Sequence, residues 1–226
     1  MKWLNKLERK FGRYYISSLM LYIVIGTITV FAFSYLMPDL PIPSYIGFDR
    51  SLILQGQIWR VITFILMPYD MNPIFMLISS YFYYSIGTVL ENTWGGFRFN
   101  AFYFIGVIGT IIGGFITGYA TCHYLNLSLF LAYAALFPNQ TFLLFFFLPV
   151  KAKYIAYVDA AFLFITFLTT PFWANRIAIL VAFLNFFLFF GGTFFKKVRD
   201  HFKYKKMRKN FNIEMSRRRM DEEDDD

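Results

Sequence analysis

Polar chemistry in this chain is confined to a few side chains set in long apolar runs. In GQIWRVITF, the pair Trp59-Arg60 places a guanidinium with its five donors beside an indole. Further on, SIGTVLENTWGGFRFNAFY carries Gly87 and Glu91 four apart, then Gly95 and Arg98. Asp159 is a second isolated carboxylate, in KYIAYVDAAFLF. Charged groups in such surroundings are costly unless paired, so each is a candidate for structure or for function. Serines 79, 80, 85 and 128 also fall in apolar sequence, but a serine hydroxyl needs a base before it attacks a carbonyl. The two histidines, His123 and His201, lie outside every apolar run. With Cys122 as the single cysteine, an internal disulfide and a cysteine-built metal cluster are excluded. No cofactor or metal is expected.

The elements that must position these groups are membrane helices. The 226 residues are 58% hydrophobic and include 31 Phe, well beyond the roughly half-apolar composition of a soluble domain. Six runs, at 15–37, 73–90, 99–120, 127–150, 154–170 and 173–195, approach or exceed the roughly 17 to 25 residues that a spanning helix needs. The fold expected is therefore an all-α, six-helix membrane domain over 14–195. An interfacial amphipathic segment at 1–13 precedes it, and a basic then acidic tail at 196–226 follows. The first run is too long for the apolar part of a signal peptide and no small-x-small site precedes Pro38, so it reads as a retained anchor.

Charge sets the orientation. A cytoplasmic N-terminus puts Lys2, Lys6, Arg9, Lys10, Arg13, Arg98, Lys151, Lys153 and the eleven basic residues of the tail on one side. Only Arg50, Arg60 and Arg176 are then left outside, so 19 of 22 basic residues obey the positive-inside rule. Both termini are expected in the cytoplasm. The net charge of +8 reads as topology and as attraction to anionic lipid at the N-terminus and tail, and not as nucleic-acid binding, because the basic residues flank spans without forming a module.

Between the first two runs, MPDLPIPSYIGFDRSLILQGQ mixes Pro, Gly and apolar residues, which suits a loop dipping into the outer leaflet under a protein cover. Arg60 is suited to tying loop carbonyls that lack water, with Trp59 at headgroup level; the plainer reading is an interfacial pair. Glu91 reads as part of a hydrogen-bonded turn with Asn92, Thr93 or Arg98 as partners, the alternative being a proton relay. Gly109 and Gly113, and Gly114 and Gly118, have the small-x-x-x-small spacing of close helix packing, inside the bundle or at a dimer face. Asp159 is a possible intramembrane polar site or a structural carboxylate reaching interfacial water or a tyrosine.

Taken together, these residues resemble the rhomboid superfamily: Trp59-Arg60 in the first long loop, Gly87-x-x-x-Glu91 closing the second membrane helix, and Gly95-x-x-Arg98 turning into the third. The resemblance covers residues 52–192 and implies a rhomboid-like six-helix bundle. In active members the fourth helix carries a Gly-x-Ser-Gly stretch; the equivalent residues here look like Ala132, Tyr133, Ala134 and Ala135, so the nucleophile position falls on Ala134. The base histidine of the sixth helix matches Asn185, and the oxyanion-side residues, counted back from Glu91, fall on Ser79 and Phe75. A methyl cannot attack and an amide takes no proton at neutral pH. The resemblance thus implies the catalytically inactive, pseudoprotease branch, derlin-like in keeping the Trp-Arg loop without the dyad, although adjacent Gly191-Gly192 replaces the derlin Gly-x-x-x-Gly.

The expected function is non-enzymatic: binding transmembrane segments of client proteins for handling, quality control or trafficking. The alternatives are an intramembrane serine protease with a displaced dyad, and a small transporter or channel using Glu91 and Asp159.

Overall fold

The computed structural model describes residues 2–144, 148–191 and 207. The tail at 196–226 (Met207 aside), His201, Gly192 and the end of the sixth run lie outside the described residues. Residues 1–189 cluster as one compact unit and 190–226 as another, of which only 190, 191 and 207 are described.

Helix α1 (Lys2–Phe11) precedes α2 (Leu19–Leu36). The long loop that follows is not bare coil but folds into α3 (Ile42–Ile46), β1 (Phe48–Asp49), α4 (Arg50–Leu54), α5 (Arg60–Thr63) and a 3-10 turn at Phe64–Leu66. Next come α6 (Pro73–Trp94), α7 (Gly96–Thr117), β2 (Tyr119–Ala120) and α8 (His123–Leu136). Strands β3 (Thr141–Leu144) and β4 (Leu148–Lys151) lead into α9 (Ala152–Thr169) and α10 (Trp173–Gly191). Local sequence explains the joints. The Asn72 side chain accepts from the amides of Ile74 and Phe75, with Pro73 at the first helical position of α6; Asp49 caps α4 in the same way.

The chain is an all-α membrane protein in its spanning elements. Among the described residues α2, α6, α7, α9 and α10 are long and apolar enough to cross a bilayer. Their outward faces are apolar too: Ile108, Ile112 and Ile116 of α7, four residues apart, and Val158, Phe162 and Ile165 of α9 are all exposed. Such a surface matches hydrocarbon and would be untenable in water.

The fourth run departs from the expected single span over 127–150. Pro138, which offers no N–H and disfavours helix in the residue before it, follows α8 after one intervening residue. The strand-favouring sequence beyond it turns back as a hairpin, β3 antiparallel to β4 with Thr141 opposite Lys151 and Leu144 opposite Leu148. The amides of Ala152 and Lys153 close its base on the carbonyls of Gln140 and Pro138. Helix α8 is accordingly only 14 residues, about 21 Å. It is buried almost all round, from Tyr124 to Ala134 with only Leu127 partly exposed, as a helix apolar on every face must be.

Helix α7 holds the bundle together by having little side chain where others approach. A Cβ on Gly109 would meet Val181 at 2.8 Å and one on Gly113 would meet Ile177 at 2.9 Å, so these two glycines seat α10. Gly106 faces Leu125 of α8 and Asn185 of α10. Gly114 faces Phe48 and Ala120, the paired β1–β2 ribbon. The expectation for Gly118 is corrected: with φ of 95° and nothing near its missing Cβ, it ends α7 and packs no helix. The core beside α8 joins Tyr124, Leu131, Leu163, Ile179 and Ala182 from three helices.

Gly106→Val should push apart α8 and α10 at once and cost about 1–3 kcal/mol. The expected result is a clear fall in detergent melting temperature, against little change for Ile108→Val on the outward face.

Candidate functional site

Polar side chains fall into three groups, two of which supply the hydrogen bonds that water supplies elsewhere and a third of which is buried with atoms left over. The first lies in the long loop. Arg60 is buried, and its Nη1 donates to the carbonyls of Ser44 at 2.6 Å and Gly47 at 2.8 Å while Nε donates to Gln57 Oε1 at 2.7 Å. Trp59 Nε1 donates to Tyr45 O at 3.2 Å, and Thr63 Oγ1 to Ile46 O at 2.9 Å. Four consecutive carbonyls, 44 to 47, are thus served by residues 59 to 63. On the same side, Arg50 caps α7, donating from its amide to Gly118 O and from Nη1 to Phe115 O.

The second group surrounds the α6–α7 turn. Gly95, at φ of 86°, makes the turn with no side chain penalty. The expected pairing of Glu91 with Arg98 or with its neighbours is not what the structure shows. Glu91 Oε1 instead accepts from the amide of Ser18 at 2.8 Å, and Ser18 is a non-glycine residue at positive φ just before α2. Arg98 forks onto Glu8 of α1, with Nη2 to Oε2 at 2.6 Å and Nε to both oxygens, and reaches Asn5 as well. Asn100, which sequence reading passed over, bonds both the amide and the carbonyl of Ile16 at 2.9 Å. Gly87 and Gly96 leave room for Met20 and Tyr15. Every position of the Gly87-to-Asn100 pattern except Gly95 therefore seats a residue between 5 and 20. The reason Glu91 and Arg98 separate is that each has a partner from the N-terminal segment, one a bare amide and the other a carboxylate.

The third group is inside the bundle. Ser80 Oγ, Tyr103 Oη, Asn126 Oδ1, Asp159 Oδ2 and Asn185 Oδ1 are buried atoms with no protein hydrogen-bond partner among the described residues, and Tyr69 Oη is buried with only the Thr27 hydroxyl beside it, short of a well-aligned bond. The Tyr69 and Tyr83 rings lie 4.9 Å apart, Tyr69 and Cys122 are electrostatic neighbours of Tyr103, and Asp159 is one of Tyr83. Burial, and then Tyr83, push the Tyr69 hydroxyl well above its ordinary pKa, so it remains a neutral donor. Burial pushes the Cys122 thiol up to about 12. Asp159 stands two turns into α9, and one of its oxygens is shut away.

Of the four degenerate positions, Ala134 and Asn185 are buried, and Asn185 Nδ2 donates to Phe102 O at 3.3 Å. The reading of Phe75 and Ser79 is corrected. Phe75 is 58% exposed on the outer face of α6 and Ser79 only half-buried, because the helical phase turns Met76, Ser80, Tyr83 and Gly87 inward instead. Ser128 Oγ is committed to Leu125 O at 2.6 Å. Tyr69 and Tyr103 were not legible as neighbours, since a loop and a helix bring them together, and Asn126 was not singled out by its sequence context. Among the described residues no group of three or more His, Cys, Asp or Glu side chains is placed to hold a metal.

Comparison with known protein families finds none that matches this chain, and comparison with curated proteins likewise finds no match.

Arg60→Ala should strand the part-buried carbonyls of Ser44 and Gly47, at about 1–3 kcal/mol. Arg60→Lys, which cannot fork, should recover little of the lost melting temperature. Full stability in either variant would show that the loop carbonyls find other donors.

Proposed function

We propose that this chain is a non-enzymatic, rhomboid-like membrane protein that binds transmembrane segments of other proteins at the polar cluster inside its bundle. The observation that carries the reading is the set of buried polar atoms left without protein partners among the described residues, on Ser80, Tyr103, Asn126, Asp159 and Asn185. In hydrocarbon each such atom is worth about 1–3 kcal/mol in lost hydrogen bonding, and a guest helix with a polar residue at the same depth supplies what is missing. Donor and acceptor are both present: tyrosine and serine hydroxyls on one hand, amide and carboxyl oxygens on the other. The rhomboid resemblance adds that the dyad positions hold a methyl, at Ala134, and an amide already engaged with Phe102, at Asn185.

In this reading the six spans are α2, α6, α7, α8, α9 and α10, with α8 short because its neighbours enclose it and lipid does not have to be matched. The positive-inside distribution places both termini in the cytoplasm. Support comes from the pairing of ends. Arg98 lies with α1, while the β1–β2 ribbon ties the first long loop to the α7–α8 junction.

A photoreactive residue at Ser80 or Tyr103 should crosslink membrane-embedded polypeptides in native membranes, and one at the outward Leu77 should do so far less. Equal capture from Leu77 would remove the interior cluster as the site. Transmembrane-substrate cleavage and fluorophosphonate labelling should both be blank. Cleavage abolished by Ser80→Ala would establish a protease instead, and solute flux in proteoliposomes lost on Asp159→Asn would establish a transporter.

Orientation is tested with single cysteines. Positions 98 and 151 should be shielded from an impermeant maleimide applied outside, and 45 and 172 labelled. Cys122 should stay unreactive near neutral pH, since its thiol is both buried and protonated.

A further inference from the structure

We infer that residues 6–16 form a binding surface for anionic phospholipid headgroups, held in place by the α6–α7 turn and distinct from the interior cluster. The N-terminal segment uses only part of itself to dock. Leu4 is buried, Glu8 is taken by the Arg98 fork, and Ile16 is held through its backbone by Asn100. What remains outward is sorted. Leu7 and Phe11, one turn apart on α1, are exposed, with Tyr14 and Ile16 exposed just beyond the helix end. Lys6 and Lys10 repeat the same spacing one position earlier, with Arg9 between them and Arg13 past the helix end, and all four are exposed. An apolar strip beside a basic strip is the arrangement that sinks into the boundary between acyl chains and headgroups.

Charge complementarity names the occupant. Glu8 is the only acidic residue before Asp39, and it is consumed by Arg98, so Lys6, Arg9, Lys10 and Arg13 have no acidic partner among the described residues. Lys10 leans on the neighbouring Phe11 ring, 5.2 Å from its centroid, which leaves the ammonium at the seam between the two strips. The segment runs directly into α2 at Leu19, which places it against the bilayer that α2 enters. A surface of this kind meets headgroups before it meets any soluble anion. The seat also fixes its direction. Arg98 on Glu8 opposes a roll of α1, and Glu91 on the Ser18 amide holds the far end of the segment where it meets α2.

The test uses the full chain with Tyr14→Cys carrying an environment-sensitive fluorophore, reconstituted in vesicles of phosphatidylcholine alone or with added phosphatidylglycerol. The expected result is a blue shift that is larger with phosphatidylglycerol and is reversed by salt. The variant K6Q/R9Q/K10Q/R13Q should lose this lipid preference, each charge contributing about fivefold in apparent lipid affinity. Should that variant fail to reconstitute, the salt titration of the labelled parent chain decides. Arg98→Gln should keep the preference for phosphatidylglycerol while broadening the probe's environment. An emission that is the same in both vesicles, insensitive to salt, or unchanged in the quadruple variant would overturn the proposal. So would an equal shift produced by soluble heparin over phosphatidylcholine vesicles, which would make the surface a general polyanion site.

Discussion

A peptide group inside a bilayer has no water to turn to, and the polar side chains at the joints between helices of this protein answer that need. Helical backbone satisfies itself; the joints between helices do not. At those joints stand Arg60 on the carbonyls of Ser44 and Gly47, Arg50 on the end of α7, Arg176 on Thr170 O, Asn72 at the start of α6, Glu91 on the Ser18 amide and Asn100 on both groups of Ile16. Arginine recurs because a fork of donors can serve several carbonyls at once. Most charged groups of the bundle are therefore structural, which narrows the search for function.

The same constraint makes the interior cluster conspicuous. Where Arg60 has three bonds and Glu91 has the Ser18 amide, Tyr103, Asn126 and Asp159 each keep a buried atom with no hydrogen-bond partner among the described residues. It is this contrast between satisfied loops and an unsatisfied centre on which the proposed binding of polar guest segments rests. Close approach of α10 and α8 to the glycine face of α7 shuts these groups away from the outer surface of the bundle.

Seat and cluster share two helices. Along α6, Tyr83 faces the cluster and Gly87 takes Met20 one turn later; along α7, Asn100 grips Ile16 and Tyr103 turns inward. A shift of the N-terminal segment would thus bear on the helices that line the cluster, which gives a membrane-surface contact a short mechanical route to the interior.

Composition and run length alone determine that this is a polytopic membrane protein, since no soluble fold could bury that much apolar sequence. Spacing alone also marks Arg60, Glu91, Arg98 and Asp159 as residues with assignments to explain, because isolated charge in an apolar run is costly wherever it ends up. What those assignments are was decided in three dimensions. Glu91 and Arg98 are seven residues apart and look like a pair, yet Gly95 turns the chain between them and the N-terminal segment supplies each with a nearer partner. Phe75 and Ser79 look like interior positions by counting, but a rotation of 100° per residue puts their neighbours Met76 and Ser80 inside. The fourth run looks long enough to span, and Pro138 with the strand-favouring residues after it divides it into a helix and a hairpin. Hydropathy measures how much apolar length is present. Only packing decides which face of that length is spent on the interior, and which polar atoms are left there without a partner.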